Sequence, residues 1–452
     1  MSYIDTNVYV RIRPFAQTGY HGQAKLAADK GIKLGNVNKK IDSYTENEIK
    51  ILDEGSGKLT NFSYPKKVIP PNDSQEKSFI SFGMPGLIDK FLEGNSCHFL
   101  AYGQTGSGKT HTMFGPPNLA DEIKSADLEG IDLKSGKGFP ESWGLFARTI
   151  LSCMSRMKAN AANSANASGS TGTNSSMSFT FTATVIELYM FQVYDLLNDK
   201  KVIPTAPGEF DFKGITVIKI SNPNDVAELA RTVMSKRRSS STNVNDSSSR
   251  SHCIATLNLV TVSKNGTGVT GQQQVRKNSF TFADLSGSER VSKTGFEKAQ
   301  QGGFEGICIN YELYQMGMTI DQIVTQQKIE RNGKVRKKIK NNFSMLANII
   351  SGALDGASFC NMVICLSQSD NNGSESWSSL NFGARMAKLR PKCPVGSKWE
   401  DLVKKIEILE KDLGENERAI QSIHSSNPYY PKREARIKML SEELEFLRSV
   451  LE

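Results

Sequence analysis

An apolar run, Ser96-Cys-His-Phe-Leu-Ala-Tyr102, stops at a glycine and is followed at once by Gly103-Gln-Thr-Gly-Ser-Gly-Lys-Thr110. No other stretch of the chain constrains its fold so tightly. The spacing G-x-x-x-x-G-K-T, set between a short strand and a helix opening with His111-Thr112-Met113, is that of a loop that wraps phosphate. Its glycines let successive backbone N–H groups curl around phosphate oxygens, and the helix N-terminus adds the positive end of its dipole. Lys109 is suited to neutralising β/γ charge and Thr110 to ligating Mg²⁺, so Gly103, Gln104, Thr105, Gly106, Ser107, Gly108, Lys109 and Thr110 are expected to bind ATP or GTP.

Around this loop the hydrophobic pattern alternates between two periods. Strands are expected at Asn7–Arg13, Ser96–Tyr102, Ser178–Leu188, Cys253–Ser263, Asn278–Leu285 and Asn361–Ser367. Helix-like segments such as Asp225–Arg237 and Phe343–Leu354 separate them. Such alternation argues for an α/β domain around a mostly buried sheet. The strand Thr281-Phe-Ala-Asp284 ends in a carboxylate suited to holding Mg²⁺ through water.

Two segments read as insertions. From Ala159 to Ser176 the chain is almost wholly Ala, Asn, Ser, Gly and Thr, which buries too little apolar surface to order itself, so a disordered surface insertion is expected. Gly115–Gly138, rich in Pro, Asp, Glu, Lys and Gly, reads as a second surface loop.

Composition sets the partner classes. The net charge of +9 and the 38% hydrophobic content describe an ordinary globular chain that favours an acidic partner: nucleic acid, an anionic membrane or an acidic protein polymer. No apolar run approaches the ~18 residues of a membrane span. The N-terminus lacks the layout of a secretory signal, so a cytoplasmic location is expected. Seven scattered cysteines with no Cys-x-x-Cys pair read as buried free thiols.

After Pro394 the pattern becomes heptad-like, with Trp399, Leu402, Ile406, Leu409 and Leu413 on one seam. It lapses at Ser425-Ser-Asn-Pro-Tyr-Tyr-Pro431 and resumes at Ile437, Leu440, Leu444, Leu447 and Leu451. Two helices joined by a turn are implied. Each run is about two heptads, so a hairpin, docking on the main domain, or a homodimer through these helices all fit. Glu452 falls within a good heptad, and a longer stalk is expected beyond it.

Two further motifs reach a named family. Asn245-Asp-Ser-Ser-Ser-Arg-Ser-His252 and Asp284-Leu-Ser-Gly-Ser-Glu-Arg290 resemble switch I (N-x-x-S-S-R-S-H) and switch II (D-L-[A/S]-G-S-E) of kinesin motors, in the same order after the phosphate loop. Arg11-x-Arg13-Pro14, Gly144-Leu-Phe-Ala-Arg148 and Glu187-Leu-Tyr-x-x-x-Val-x-Asp-Leu-Leu197 are similar to further kinesin motifs. The likeness covers roughly Ser2 to Lys388.

The resemblance implies a P-loop NTPase fold of kinesin type: a central mixed sheet, largely parallel, flanked by helices, with a C-terminal helical neck or hairpin. It implies a motor domain over residues 2–388, a neck linker over 389–399 and a helical neck, hairpin or short coiled coil over 400–452. Arg11, Arg13, Pro14 and His111 would bracket the adenine, giving ATP over GTP. Ser249 would reach Mg²⁺ and the γ-phosphate, Ser248 would position the attacking water, and the Gly287 amide would sense the γ-phosphate. Arg250 and Glu289 would close the pocket as an ion pair. Thr110, Ser249 and Asp284, the last through water, would hold the metal.

The implied activity is a microtubule-stimulated ATPase driving movement along microtubules, on the cytoskeleton. The alternative is a nucleotide-regulated microtubule-binding or scaffold protein with little motility. A nucleic-acid-dependent ATPase finds no support in the switch motifs. The chain departs from the family where kinesins meet the track. The helix motif I-N-K-S-L-x-x-L-G reads Ile309-Asn-Tyr-Glu-Leu-Tyr-Gln-Met-Gly317, and P-Y-R-x-S-K-L-T aligns with Lys340-Asn-Asn-Phe-Ser-Met-Leu-Ala347. Lys334, Arg336, Lys337, Lys338 and Lys340 lie just upstream. These cations, with the helix around Asn310–Gly317, are the expected tubulin contacts.

Overall fold

The computed structural model describes residues 4–14, 41–53, 57–116, 139, 141–167, 176–198, 200–202, 215–239, 250–264, 273–288, 300–331, 344–368, 373–390, 396–398, 400–427 and 429–451. Its strands are β1 (Asn7–Ile12), β2 (Ile41–Tyr44), β3 (Ile49–Leu52), β4 (Leu59–Phe62), β5 (Lys67–Ile69), β6 (Cys97–Tyr102), β7 (Ser176–Tyr189), β8 (Gln192–Asp195), β9 (Lys200–Val202), β10 (Ile218–Ile220), β11 (His252–Lys264), β12 (Gln273–Asp284), β13 (Phe359–Leu366) and β14 (Glu400–Asp401). Its helices are α1 (Gln75–Ser81), α2 (Met84–Leu92), α3 (Lys109–Met113), α4 (Leu145–Ala167), α5 (Pro223–Ser239), α6 (Gln300–Arg331), α7 (Met345–Ile349), α8 (Ser351–Asp355), α9 (Gly373–Met386), α10 (Leu402–Gln421) and α11 (Tyr430–Leu451). All six expected strands are present.

An 11-stranded sheet runs β5-β1-β13-β6-β12-β11-β7-β8-β9, with β10 on β7 and β14 on β12; β2-β3-β4 form a small separate sheet. The run from β5 to β12 is parallel, and β12-β11-β7-β8-β9 is antiparallel. Side chains alternate across each strand. Along β1, Val8, Val10 and Ile12 enter one core and Tyr9 the other; along β6, Phe99 and Ala101 oppose Leu100 and Tyr102. One face is covered by α2, α4 and α5, the other by α6 to α9 and the small sheet. Burial on both faces explains why the parallel strands read as continuous apolar runs.

Two local expectations are corrected. Residues 159–167 continue α4 rather than opening a disordered insertion; the alanines there are strong helix formers. Residues 168–175, and 117–138 of the second insertion, lie outside the described residues. Phe343–Leu354 is two short helices, not one, because the chain turns at Ile350 (φ −98°, ψ 16°). Beyond it Gly352 presses against the His98 ring and Ser358, where a Cβ would stand 3.2 Å from each.

The C-terminal seam is satisfied within the chain. Leu402, Ile406 and Leu409 of α10 pack with Leu440, Leu444 and Leu447 of α11, and both helices rest on Val260 and Val262 of β11 and Val275 of β12. Strand β14 pairs antiparallel with β12 just ahead of α10. Arg436 pairs with Asp412, Arg448 with Glu410 and Lys277 with Glu443. The expected hairpin is therefore docked on the sheet; Trp399 lies outside the described residues. Six cysteines are free and buried, as expected; Cys393 is not among the described residues. No helix among the described residues is long and apolar enough to cross a membrane.

Candidate functional site

Strands β1, β13, β6 and β12 run parallel and end at one edge of the sheet, where open α/β sheets place their ligands. That edge receives Arg13, Leu366, Gly103 and Asp284. The phosphate loop joins β6 to α3. Gly103 (φ 148°) passes so close to β13 that a Cβ would stand 2.3 Å from the Cys365 carbonyl oxygen. Gly108 (φ 97°) caps α3 in the left-handed region. Side chains are excluded at the first position and strained at the second, which is why the glycines stand there.

Lys109 is buried, with Nζ donating to the carbonyls of Gly103 at 2.8 Å and Gln104 at 2.9 Å. Its ammonium is thereby held in the loop's cradle. Thr110 Oγ1 donates to Asp284 Oδ2 at 2.6 Å, joining the first turn of α3 to the end of β12. Switch II continues along the loop: Leu285 N–H donates to Ala101 O at 3.1 Å and Ser288 N–H to Gly103 O at 3.3 Å. The buried Gly287 is carried between them.

A residue absent from the expected set completes this cluster. Arg237, in the last turn of α5, donates to Asp284 Oδ2 at 2.5 Å, with side-chain exposures of 3% and 1%. Burial acts to lower its pKa, but the Asp284 charge outweighs it and keeps the guanidinium protonated. In the sequence Arg237 sits in Lys236-Arg-Arg, which reads as a solvated helix end. The helical register that turns it inward, with Val226, Leu229, Ala230 and Val233 on the same face, was the available signal.

Switch I and switch II also meet through His252. Ser286 N–H donates to its Nδ1 at 3.1 Å. Burial first, then Lys109 and Arg237, draw the imidazole down to about 3, so it stays neutral and able to accept. One residue earlier, Ser251 Oγ donates to Glu187 Oε1 at 2.5 Å, which anchors switch I on β7.

The base-bracketing residues divide. Arg13 donates to the Gly106 carbonyl and its own carbonyl accepts from Gln368 at 2.9 Å; Pro14 beside it is exposed. Arg13 thus borders the phosphate loop. Arg11 does not: at 9% exposure, its Nη1 donates to Gln75 Oε1 at 2.7 Å and Thr112 Oγ1 at 2.9 Å. Alternation along β1 turns it inward, where it braces the loop from behind. Gln75 Nε2 donates in turn to His111 O at 2.5 Å. The His111 ring keeps an edge in solvent, yet packing of the loop, then Arg11 and Arg13, draw it to about 4.

Ser248, Ser249 and Glu289 lie outside the described residues; Arg250 is half-buried. The residues present fit Mg²⁺. Asp284 Oδ1 is buried without a hydrogen-bond partner among the described residues, beside the Thr110 hydroxyl. No cluster of three His, Cys, Asp or Glu that could hold a metal occurs among the described residues.

Comparison with known proteins agrees with this geometry. The family model of the kinesin motor domain matches residues 11–389. The chain is 27% identical over 363 residues to the kinesin-like protein KIN-12B of Oryza sativa subsp. japonica, covering 78% of this chain and 29% of the relative. It is 29% identical over 323 residues to the kinesin heavy chain of Drosophila melanogaster, covering 71% and 28%. The chain thus spans about three-tenths of the length of these relatives. Among solved structures it is similar to a fast kinesin (TM-score 0.63, 24% identity, 87% of this chain and 94% of that one). It is also similar to a KIF14 dimer in complex with a microtubule (TM-score 0.64, 20% identity, 88% and 97%). The phosphate loop, the contact of switch II with it and of switch I with switch II, the mixed sheet beneath and the match over residues 11–389 together show that the chain belongs to the kinesin motor-domain family.

Proposed function

We propose that the chain is a microtubule-stimulated ATPase that couples hydrolysis to movement along microtubules. The observation that carries this reading is the convergence of Thr110, Asp284 and Arg237 beneath the phosphate loop, with switch I tied to switch II through His252. A γ-phosphate at this point touches both switches, so its loss releases both.

In this reading the loop amides and Lys109 hold the triphosphate, and Arg13, Pro14 and His111 border the adenine. Thr110, Ser249 and Asp284, the last through water, would hold Mg²⁺, which would supply positive charge against the charge that develops on the phosphate oxygens during transfer. Ser248 positions the attacking water, the Gly287 amide reads the γ-phosphate, and Arg250 with Glu289 closes the pocket and carries the proton away. Charge stabilisation and positioning do most of the work in such a transfer.

The track contact lies on the outer face of α6. Ile309, Leu313, Met316, Ile320 and Ile323 bury its inner face, while Ile307, Tyr311, Tyr314 and Met318 are exposed on the outer one. Phe191, at a hairpin turn with positive φ at both central residues, stands edge-on to Tyr311. Contact here is apolar, and the cations Lys334 to Lys340, outside the described residues, supply long-range attraction. Of Asn310–Gly317, Tyr311 and Tyr314 face outward, whereas Glu312, Leu313, Met316 and Gly317 are buried.

The test is steady-state ATP hydrolysis with and without stabilised microtubules, with Thr110→Asn and Glu289→Ala as controls. Stimulation by microtubules, lost in both variants, is expected. Turnover indifferent to microtubules would instead leave a nucleotide-regulated binding protein.

A further inference from the structure

Glu312 lies on the inner side of α6, 3% exposed, and reaches across to the start of α7. Its Oε2 accepts from the Ser344 hydroxyl at 2.7 Å and from Leu346 N–H at 3.1 Å; its Oε1 accepts from Met345 N–H at 3.4 Å. Ser344 Oγ in turn accepts from Ala347 N–H at 3.0 Å. The first three amides of α7 are therefore all taken, two of them by a carboxylate belonging to another helix. A helix normally meets these donors from its own N-cap and following turn.

The arrangement is costly to leave unmade. Burial raises the Glu312 pKa, and the hydrogen bonds from Ser344, Leu346 and Met345 work against that rise. A five-residue helix such as α7 has little stability of its own, so its position follows the group that caps it. Its neighbour α8 is seated on the sheet, with Gly352 against His98 of β6 and Ser358. In the motif this helix resembles, a serine stands at the place of Glu312, with a side chain two heavy atoms too short to make the same reach.

We propose that Glu312 is a positioning residue that clamps α6 to α7, so that movement of α6 on its track is passed to the sheet under the phosphate loop instead of being lost as sliding between helices. This rests on the reading of α6 as the track-facing helix. Tyr311 and Tyr314 supply contact on the outer face, and Glu312 supplies transmission on the inner one. The two functions are separable because they sit on opposite sides of the same turns.

The experiment compares the full chain with Glu312→Ser, Glu312→Gln and Ser344→Ala. Hydrogen exchange at the amides of residues 345–347 reads the clamp without microtubules, and turnover against microtubule concentration reads the relay. For Glu312→Ser we expect exchange at least about tenfold faster and basal turnover within about twofold of the parent. The maximal stimulated rate should fall by about fivefold or more, at a nearly unchanged half-saturating microtubule concentration. Ser344→Ala, a smaller change, should move the same quantities in the same direction, and Glu312→Gln should fall between it and Glu312→Ser. Unchanged exchange in Glu312→Ser overturns the clamp. Basal and stimulated rates falling in proportion overturn the relay and leave a merely structural role. A parent chain that shows no stimulation sinks the motor reading and the relay together, and the exchange data then decide the clamp alone.

Discussion

Arg237 and Asp284 form a buried ion pair whose shared oxygen, Asp284 Oδ2, also accepts a hydrogen bond from the Thr110 hydroxyl. One carboxylate thus joins α5, β12 and the first turn of α3. Removing one partner of such a pair leaves a buried charge uncompensated, at a cost of about 3–5 kcal/mol. Arg237→Ala is expected to lower the unfolding free energy by that order and to slow ATP turnover, read by urea denaturation and steady-state hydrolysis. Arg237→Lys should recover only part of either, since an ammonium lacks the planar fork. An Arg237→Ala protein of parental stability would show that Asp284 is not left as an uncompensated buried charge.

The outer face of α6 invites a test of salt dependence. Attraction between exposed charges is screened within about 8 Å at physiological ionic strength, whereas apolar burial is not. Tyr314 is 60% exposed, and burying a large side chain contributes roughly 1.5–3 kcal/mol. Tyr314→Ala should therefore raise the half-saturating microtubule concentration by about tenfold or more. The ratio to the parent should be the same in low and high salt. A ratio that collapses in high salt would move the contact away from this stripe.

The phosphate loop and both switches were legible because their residue types are fixed by chemistry: glycines for close approach, a lysine and a threonine for charge and metal, a carboxylate at a strand end. Six strands of the sheet were legible from their apolar or alternating runs, whereas β5, β8, β9, β10 and β14, each four residues or fewer, were too short to show a period. Arg237 was not, since its neighbours Lys236 and Arg238 make it look like a solvated helix end and only the tertiary fold turns it to Asp284. Arg11 was misplaced by one layer, because alternation along β1 decides its direction and the motif does not. Glu312 was visible as a departure, but its meaning depends on Ser344, thirty-two residues away. The C-terminal seam was legible as a seam and silent about its partner, which proved to be the same chain.

That seam bears on assembly. Leu402, Leu440 and Leu447 are fully buried between α10, α11 and the sheet, so a homodimer through this seam has to open the hairpin first. Leu440→Ala is expected to destabilise the hairpin by about 2–5 kcal/mol, seen as faster hydrogen exchange over α10, α11 and β14 with little change at β6. Sedimentation of the parent chain should show a monomer at micromolar concentration. A dimer that persists in Leu440→Ala would place the association elsewhere, and a dimer lost with it would restore the coiled-coil reading.

Acid should unfold this domain through two buried histidines. His252 is drawn to about 3 and His98, within 2.7 Å of Ser358 Oγ, to about 4, both chiefly by burial, against an ordinary value of 6.5. Each is neutral when folded and free to take a proton when unfolded, so the unfolded state binds more protons below about pH 6.5 and stability falls with pH. Their contribution is fully present above 6.5 and is lost progressively down to the folded values. At pH 5 the shortfall is roughly 2 kcal/mol for each, from ~1.4 kcal/mol per unit, a large share of a domain's typical ~5–15 kcal/mol. Urea midpoints should be flat from pH 7.5 to about 6.5 and decline steadily from there to pH 5. His98→Gln, which cannot titrate, should shed about half of that slope whatever it does to the midpoint at neutral pH. A parent midpoint unchanged between pH 7 and 5 would mean that neither imidazole is held neutral by its surroundings.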